Sequence, residues 1–144
     1  MYRELILEVS HGSDFVKIQP PCPEREIDNA EKAVGYPFPQ ELRALLRELN
    51  GDKYLLLSVK EIIEQTKLNK EIQIEYSNEE FAKELDRFIF FATNGCGDYY
   101  CYHANSDGVF DETAIFIWEH EVYSWRQVAT NMVELITRYY TDEI

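Results

Sequence analysis

Phe88-Ile89-Phe90-Phe91-Ala92, then Asn94-Gly95-Cys96-Gly97-Asp98, then Tyr99-Tyr100-Cys101-Tyr102 read in succession as a strand, a turn and a strand. The two flanking runs are too apolar to lie at a surface. Phe88 to Ala92 carries no polar residue on either face, the pattern of a central strand covered on both sides. Two glycines bracketing a cysteine mark a turn whose backbone must reach positive φ. Asp98 heads the returning strand, so the unit is predicted as a buried hairpin with a polar mouth. Downstream, Asn105-Ser106-Asp107-Gly108 is a turn by composition. Ala114 to Trp118 then continues the sheet and Val122 to Trp125 adds a short strand.

Upstream of the hairpin the periodicity turns helical. The first eleven residues form a short helix with Leu5, Ile6 and Val9 as its apolar side, and Pro20-Pro21-Cys22-Pro23 breaks regular structure because each proline removes a donor and restricts its predecessor. Ile27, Ala30 and Val34 fall at helical spacing from Glu24 onward, with Gly35 placed to end that helix. Gln40 to Leu49 is a second amphipathic helix carrying Leu42, Leu45, Leu46 and Leu49 on one stripe, stopped by Asn50-Gly51. Tyr54 to Leu57 is predicted as a short strand. Ser58 with Glu61 forms a capping box opening a helix through about Thr66. Lys67 to Asn78 is weakly patterned, with Ile72 and Ile74 on an edge strand, and Glu79 to Leu85 is a helical turn. Val128, Met132, Leu135, Ile136 and Tyr139 mark a final helix. Helices first, strands next and a helix last predict an α+β fold. Its expected form is a mixed, mainly antiparallel sheet of about four to six strands, covered by helices on one side. The 144 residues suit one domain, residues 1–144.

Composition narrows the function classes. The chain is 45% hydrophobic and 28% charged, neither disordered nor membrane-embedded in character, and its apolar runs of about five residues are far short of the roughly twenty that cross a bilayer. The N-terminus interrupts its apolar stretch with acids, unlike a signal peptide, so a cytoplasmic location is expected. An odd number of cysteines, Cys22, Cys96 and Cys101, agrees with a reducing compartment. The net charge of −13, from 27 acids against 14 bases, argues against direct nucleic-acid binding, which relies on Lys and Arg neutralising phosphates. From Ala92 to Ile144 nine acids face only Arg126 and Arg138. A one-sided field of this kind steers a basic protein toward it.

Cys96, Cys101 and His103 are residue types that bind zinc. Cys101 and His103 would share a strand face, but Cys96 lies across a turn and nothing supplies a fourth ligand, so no metal or cofactor is expected. Cys101 or Ser106 with His103 or His120 contains the types of a nucleophile and base, yet no elbow or phosphate loop frames them. The tyrosines carry more information: Tyr99 and Tyr100 point to opposite faces, so one is core and the other presents an aromatic hydroxyl beside Asp98. Trp118 and Trp125 read as core.

Three blocks appear together in one known family. Ile27-Asp28-Asn29-Ala30-Glu31-Lys32-Ala33-Val34-Gly35-Tyr36-Pro37-Phe38-Pro39, continuing to Asn50-Gly51, resembles the I-x-x-A-E-x-x-L-G-x-x-L-P signature of the SUKH superfamily. Val34 stands for the usual leucine and Phe38 for the aliphatic residue before proline. The Gly95-to-Asp98 turn and Ile115-Phe116-Ile117-Trp118-Glu119-His120-Glu121 are similar to its later blocks, and the resemblance spans residues 24 to 140. It implies the same α+β architecture and a non-catalytic immunity protein that neutralises a cognate, basic toxin domain, commonly a nuclease, by direct binding. An intracellular adaptor of the cell-wall-assembly branch is the alternative, and an uncharacterised enzyme the third reading. The acidic, aromatic region Asp98, Tyr100, Asp107, Asp111, Glu112, Glu119 and Glu121 is the expected partner surface.

Overall fold

The computed structural model describes residues 1–144. Five α-helices, one 3-10 helix and four strands follow in the order α1 (Tyr2–Val9), α2 (Glu24–Val34), α3 (Gln40–Glu48), α4 (Val59–Glu75), a 3-10 helix (Phe81–Arg87), β1 (Phe88–Thr93), β2 (Tyr99–His103), β3 (Ile115–Glu119), β4 (Ser124–Ala129) and α5 (Met132–Tyr140). The fold is α+β, and its sheet is an antiparallel meander in sequence order, with no parallel pair. No helix is long and apolar enough to cross a membrane.

Where the chain signals its boundaries locally, the elements begin and end as read. Gly35 closes α2 at φ 96°, and Ser58 and Glu61 exchange both hydrogen bonds of a capping box at the start of α4. Four expectations about individual elements are corrected, as is one about the layers. First, α4 runs nine residues beyond Thr66, and no edge strand holds Ile72 or Ile74. Its inward stripe is Val59, Ile62, Thr66, Asn69 and Ile72. Polar residues at two of those positions hide a helical period that packing against the 3-10 helix and β1 nonetheless enforces. Second, Tyr54 to Leu57 is not a strand but a single antiparallel bridge, Leu56 to Ala92, flanked by Leu57 N–H to Phe91 O at 3.0 Å and Thr93 N–H to Leu55 O at 2.8 Å. Third, β1 is an edge of the four-stranded sheet, shielded by that bridging segment rather than by a full strand. Fourth, the last strand starts at Ser124, Val122 lying in the turn before it.

Both faces of the sheet are covered, not one. The larger core gathers Ile89, Phe91, Tyr100, Tyr102, Ile115 and Ile117 from the sheet with the apolar stripes of the helices. The opposite face carries a second, aromatic layer of Phe88, Phe90, Cys101 and Trp118 with Leu85 of the 3-10 helix. A bulge at Phe91 separates the pairings Phe90 to Cys101 and Ala92 to Tyr100, so that Phe91, stacked on Tyr102 at 4.9 Å, and Ala92 after it both lie in the main core. Burial of each such ring is worth about 1.5–3 kcal/mol.

Long-range polar contacts fix the helices on this frame. Pro39 has no side chain to cap α3, and Glu112 Oε1 instead accepts from the Gln40 N–H at 2.7 Å. Glu41 accepts from Tyr102 Oη at 2.6 Å and from the Met132 N–H at 3.0 Å, joining α3, β2 and the start of α5. Arg43 bridges to α2 through Glu31, Glu24 and Asp28 at 2.6, 2.7 and 3.1 Å.

Candidate protein-binding surface

The hairpin mouth is built from short-range hydrogen bonds before any partner is considered. Asn94 Oδ1 accepts from the Cys96 N–H at 2.9 Å, Thr93 Oγ1 accepts from the Gly95 N–H at 3.1 Å, and the same hydroxyl donates to Asp98 O at 2.9 Å. Gly95 and Gly97 take φ 78° and 95°, as the turn reading requires. Asp98 Oδ1 then accepts from the His120 backbone N–H at 3.0 Å and pairs with His120 Nδ1 at 2.6 Å, while Asn94 Nδ2 donates to Oδ2 at 3.3 Å. Partial burial works against ionisation of Asp98, but the His120 ring, the His120 N–H and Asn94 together hold its carboxyl below the ordinary range. Its stabilising contribution is therefore present above the unfolded carboxylate value of about 3.9 and is lost as pH falls through the lower folded value.

Gly97 makes that pairing possible. A Cβ there would lie 2.8 Å from His120 Cε1, so the imidazole rests against bare backbone. Gly97→Val should cost on the order of 1–3 kcal/mol through left-handed strain and displacement of the ring, whereas Cys96→Ser, at an exposed site, should stay within about 0.5 kcal/mol. Thermal melts of the two variants check this, and equal, negligible losses would contradict the turn geometry.

The seven expected contact residues divide into three groups. Asp98 and Glu119 lie side by side at one end of the sheet, because Tyr99 pairs with Trp118, and Glu121 follows in the turn after β3. Glu119 is also paired with Arg126 at 3.0 Å. Asp107, Asp111 and Glu112 lie in the β2–β3 connection at the far end, about 17 Å away along five-residue strands. There Asp111 accepts from Thr113 and Glu112 caps α3. Tyr100 belongs to neither end: it is 1% exposed in the main core and has no surface to offer a partner. Period-2 alternation separated Tyr99 from Tyr100 but did not say which was inside, and Tyr99 is the one on the outer face, stacked on Phe90 at 5.2 Å.

The residues considered for chemistry are not brought together. Cys101 is fully buried with its thiol directed to Phe116 O at 3.6 Å, and burial pushes that thiol well above its usual range. His103 Nε2 meets Glu84 Oε2 at 3.0 Å, and His120 is held by Asp98. Cys96, Cys101 and His103 form no ligand cluster.

Beside the Asp98–His120 pair lies a feature with no sequence signal: a cleft of about 270 Å³ between the second half of α4 and the aromatic face of the sheet. Leu85, Phe90 and Trp118 form its buried floor, Tyr99 one wall, and Tyr123, stacked on Phe81 at 4.3 Å, the other. Its parts come from residues 65 to 123, too dispersed for any motif.

The SMI1 / KNR4 family (SUKH-1) model matches this chain over residues 21–138. No curated protein matches it.

Proposed function

Because the chain belongs to the SMI1 / KNR4 family (SUKH-1), we propose that it is a non-catalytic immunity protein that binds a cognate toxin domain and holds it off its substrate. The family supplies the class of function. The observation that carries the choice of partner is the charge: −13 overall, with nine acids against two bases after Ala92. A nuclease presents a basic surface to its phosphate backbone substrate, and an acidic protein can cover that surface while having no affinity of its own for nucleic acid. Asp98, Glu119 and Glu121 at one end of the sheet, beside the aromatic cleft, are the surface this reading favours, since carboxylates next to exposed aromatics combine sign selection with buried area. Inhibition here is occupation of a site, and turnover has no part in it.

Association with a cognate basic toxin domain, sought among the products of neighbouring genes, should slow as salt rises, because screening shortens to roughly 8 Å near physiological ionic strength. Glu119→Lys with Glu121→Lys should lower the association rate about tenfold or more at low salt without unfolding the protein. Surface-plasmon kinetics at two salt concentrations, with circular dichroism on each variant, measure both. Wild-type rates in the reversed variant would move the interface elsewhere, and no binding at all would favour the adaptor reading.

A further inference from the structure

Three independent features of the cleft beside α4 mark it as a receptor for one side chain. Asn69 is 4% exposed and lines it; its Oδ1 accepts from Gln65 Nε2 at 3.0 Å, but its amide nitrogen donates to no protein atom. Turning the amide over exchanges the free donor for a free acceptor, so one polar edge stays unsatisfied either way. That edge keeps some access to the cleft, since it is not one of the fully buried unpartnered atoms, and so is open to a hydrogen bond from whatever enters. Tyr123 is held at φ 50°, a conformation rare for a bulky residue, and that backbone presents its ring as the outer wall while leaving it 54% exposed. Finally, the cleft opens into a shallow groove that shares Gln65, Leu68 and Tyr99 and is bordered by Glu61 and by Glu64, the latter in no ion pair.

We propose that this cleft takes a tyrosine side chain from a loop of the basic partner, with a neighbouring lysine or arginine of that loop on Glu64. The proposal rests on the toxin-binding reading above and names where the partner's anchor sits. The volume falls below the roughly 300 Å³ at which small-molecule sites begin and suits a single aromatic side chain. A tyrosine hydroxyl both accepts and donates, so it satisfies the free edge of Asn69 in either orientation, while its ring meets Phe90, Tyr99 and Trp118. A second copy of this chain or an anionic lipid surface is opposed by the net charge of −13, and the groove's carboxylates call for a cation next to the anchor.

The test has one arm that needs no toxin. In ¹⁵N- and methyl-labelled protein, N-acetyl-tyrosyl-lysine amide should produce saturable shifts confined to the Asn69 side-chain amide, the Trp118 indole and the Leu68 methyls. N-acetyl-alanyl-lysine amide should bind at least about tenfold more weakly. Absence of saturable shifts, or equal binding of the alanyl peptide, overturns the assignment. In the second arm Leu68→Arg, at a 46% exposed rim position where the fold is not at stake, should raise the toxin's dissociation rate about tenfold. Asn69→Leu should do the same, and Leu68→Arg decides the matter if Asn69→Leu does not fold. Wild-type dissociation of Leu68→Arg, with Glu119→Lys and Glu121→Lys still slowing association, would overturn the cleft and leave the immunity function standing. A concentration-dependent dimer abolished by Leu68→Arg in sedimentation velocity would assign the cleft to a second copy and overturn it as well.

Discussion

Gly51→Ala should be strongly damaging for so small a substitution, costing about 2–5 kcal/mol. Gly51 has φ 84°, and a Cβ built on it would lie 2.8 Å from Ser58 N and 3.0 Å from Leu56 O and Leu57 C. All three are backbone atoms, so no rotamer change relieves the contact. The left-handed conformation contributes about 1–2 kcal/mol and forced separation of packed backbone about 1–3 more. The segment pushed away is the one whose Leu55 and Leu57 bond β1 and whose Ser58 caps α4, so damage spreads to both. Gly95→Ala is the control: φ is 78°, but nothing lies within 4 Å, and only the left-handed strain of about 1–2 kcal/mol should appear. Urea unfolding of the two variants measures the difference. Such a loss is a large fraction of a total stability of about 5–15 kcal/mol, so both variants are titrated with urea at 10 °C rather than 37 °C. Equal losses at the two glycines would refute the close approach.

Asp52→Ala should follow, with a loss of about 3 kcal/mol or more. Asp52 is fully buried, and Oδ1 accepts from the backbone N–H groups of Tyr54, Leu55 and Leu56 at 3.0, 2.9 and 2.8 Å. Alanine strands three donors at about 1–3 kcal/mol each, less whatever water recovers. Oδ2 has no partner, nor does the buried hydroxyl of Tyr140. Burial raises the Asp52 carboxyl above its ordinary range, opposed but not overcome by the N–H groups of Leu56, Tyr54 and Leu55. For a raised acid the stabilising contribution is fully present below the unfolded value of about 3.9 and is lost as pH rises through the folded value. Asp52→Asn keeps an oxygen for the three donors and never ionises. It should lose less than half of what alanine loses, and should improve relative to the native protein as pH rises from 4 to 7. Denaturant unfolding of the three proteins at both pH values checks this, and indistinguishable alanine and asparagine variants would show that the acceptor oxygen does not hold the three donors.

On the proposed reading Glu119, Glu121, Asn69 and Leu68 act on a partner, whereas Gly51 and Asp52 act on the fold that presents the surface. Asn50-Gly51 was legible as a helix stop, but nothing in the sequence distinguished Gly51 from Gly95. The difference is an approach of the 55–58 segment that the chain makes only after folding.

What the amino-acid sequence determined by itself is whatever depends on neighbours within about four residues. The glycine ending α2, the Ser58–Glu61 capping box, the leucine stripe of α3 and the two-glycine turn before Asp98 each close hydrogen bonds or a hydrophobic face inside one turn, so residue type and spacing suffice. The order of those signals was enough for the α+β class and the family blocks. The tertiary structure decided what spacing leaves degenerate. Alternation in β2 separates Tyr99 from Tyr100 equally well with either one inside, and only the packing of the helices on one face chose Tyr100 for the core. The last nine residues of α4 present a stripe half polar, helical because the 3-10 helix and β1 lie against it. Glu112 reaches Gln40 across 72 positions, and the cleft draws on α4, the 3-10 helix, three strands and the turn at Tyr123. Such features are made by the simultaneous burial of distant segments, and no local pattern carries them.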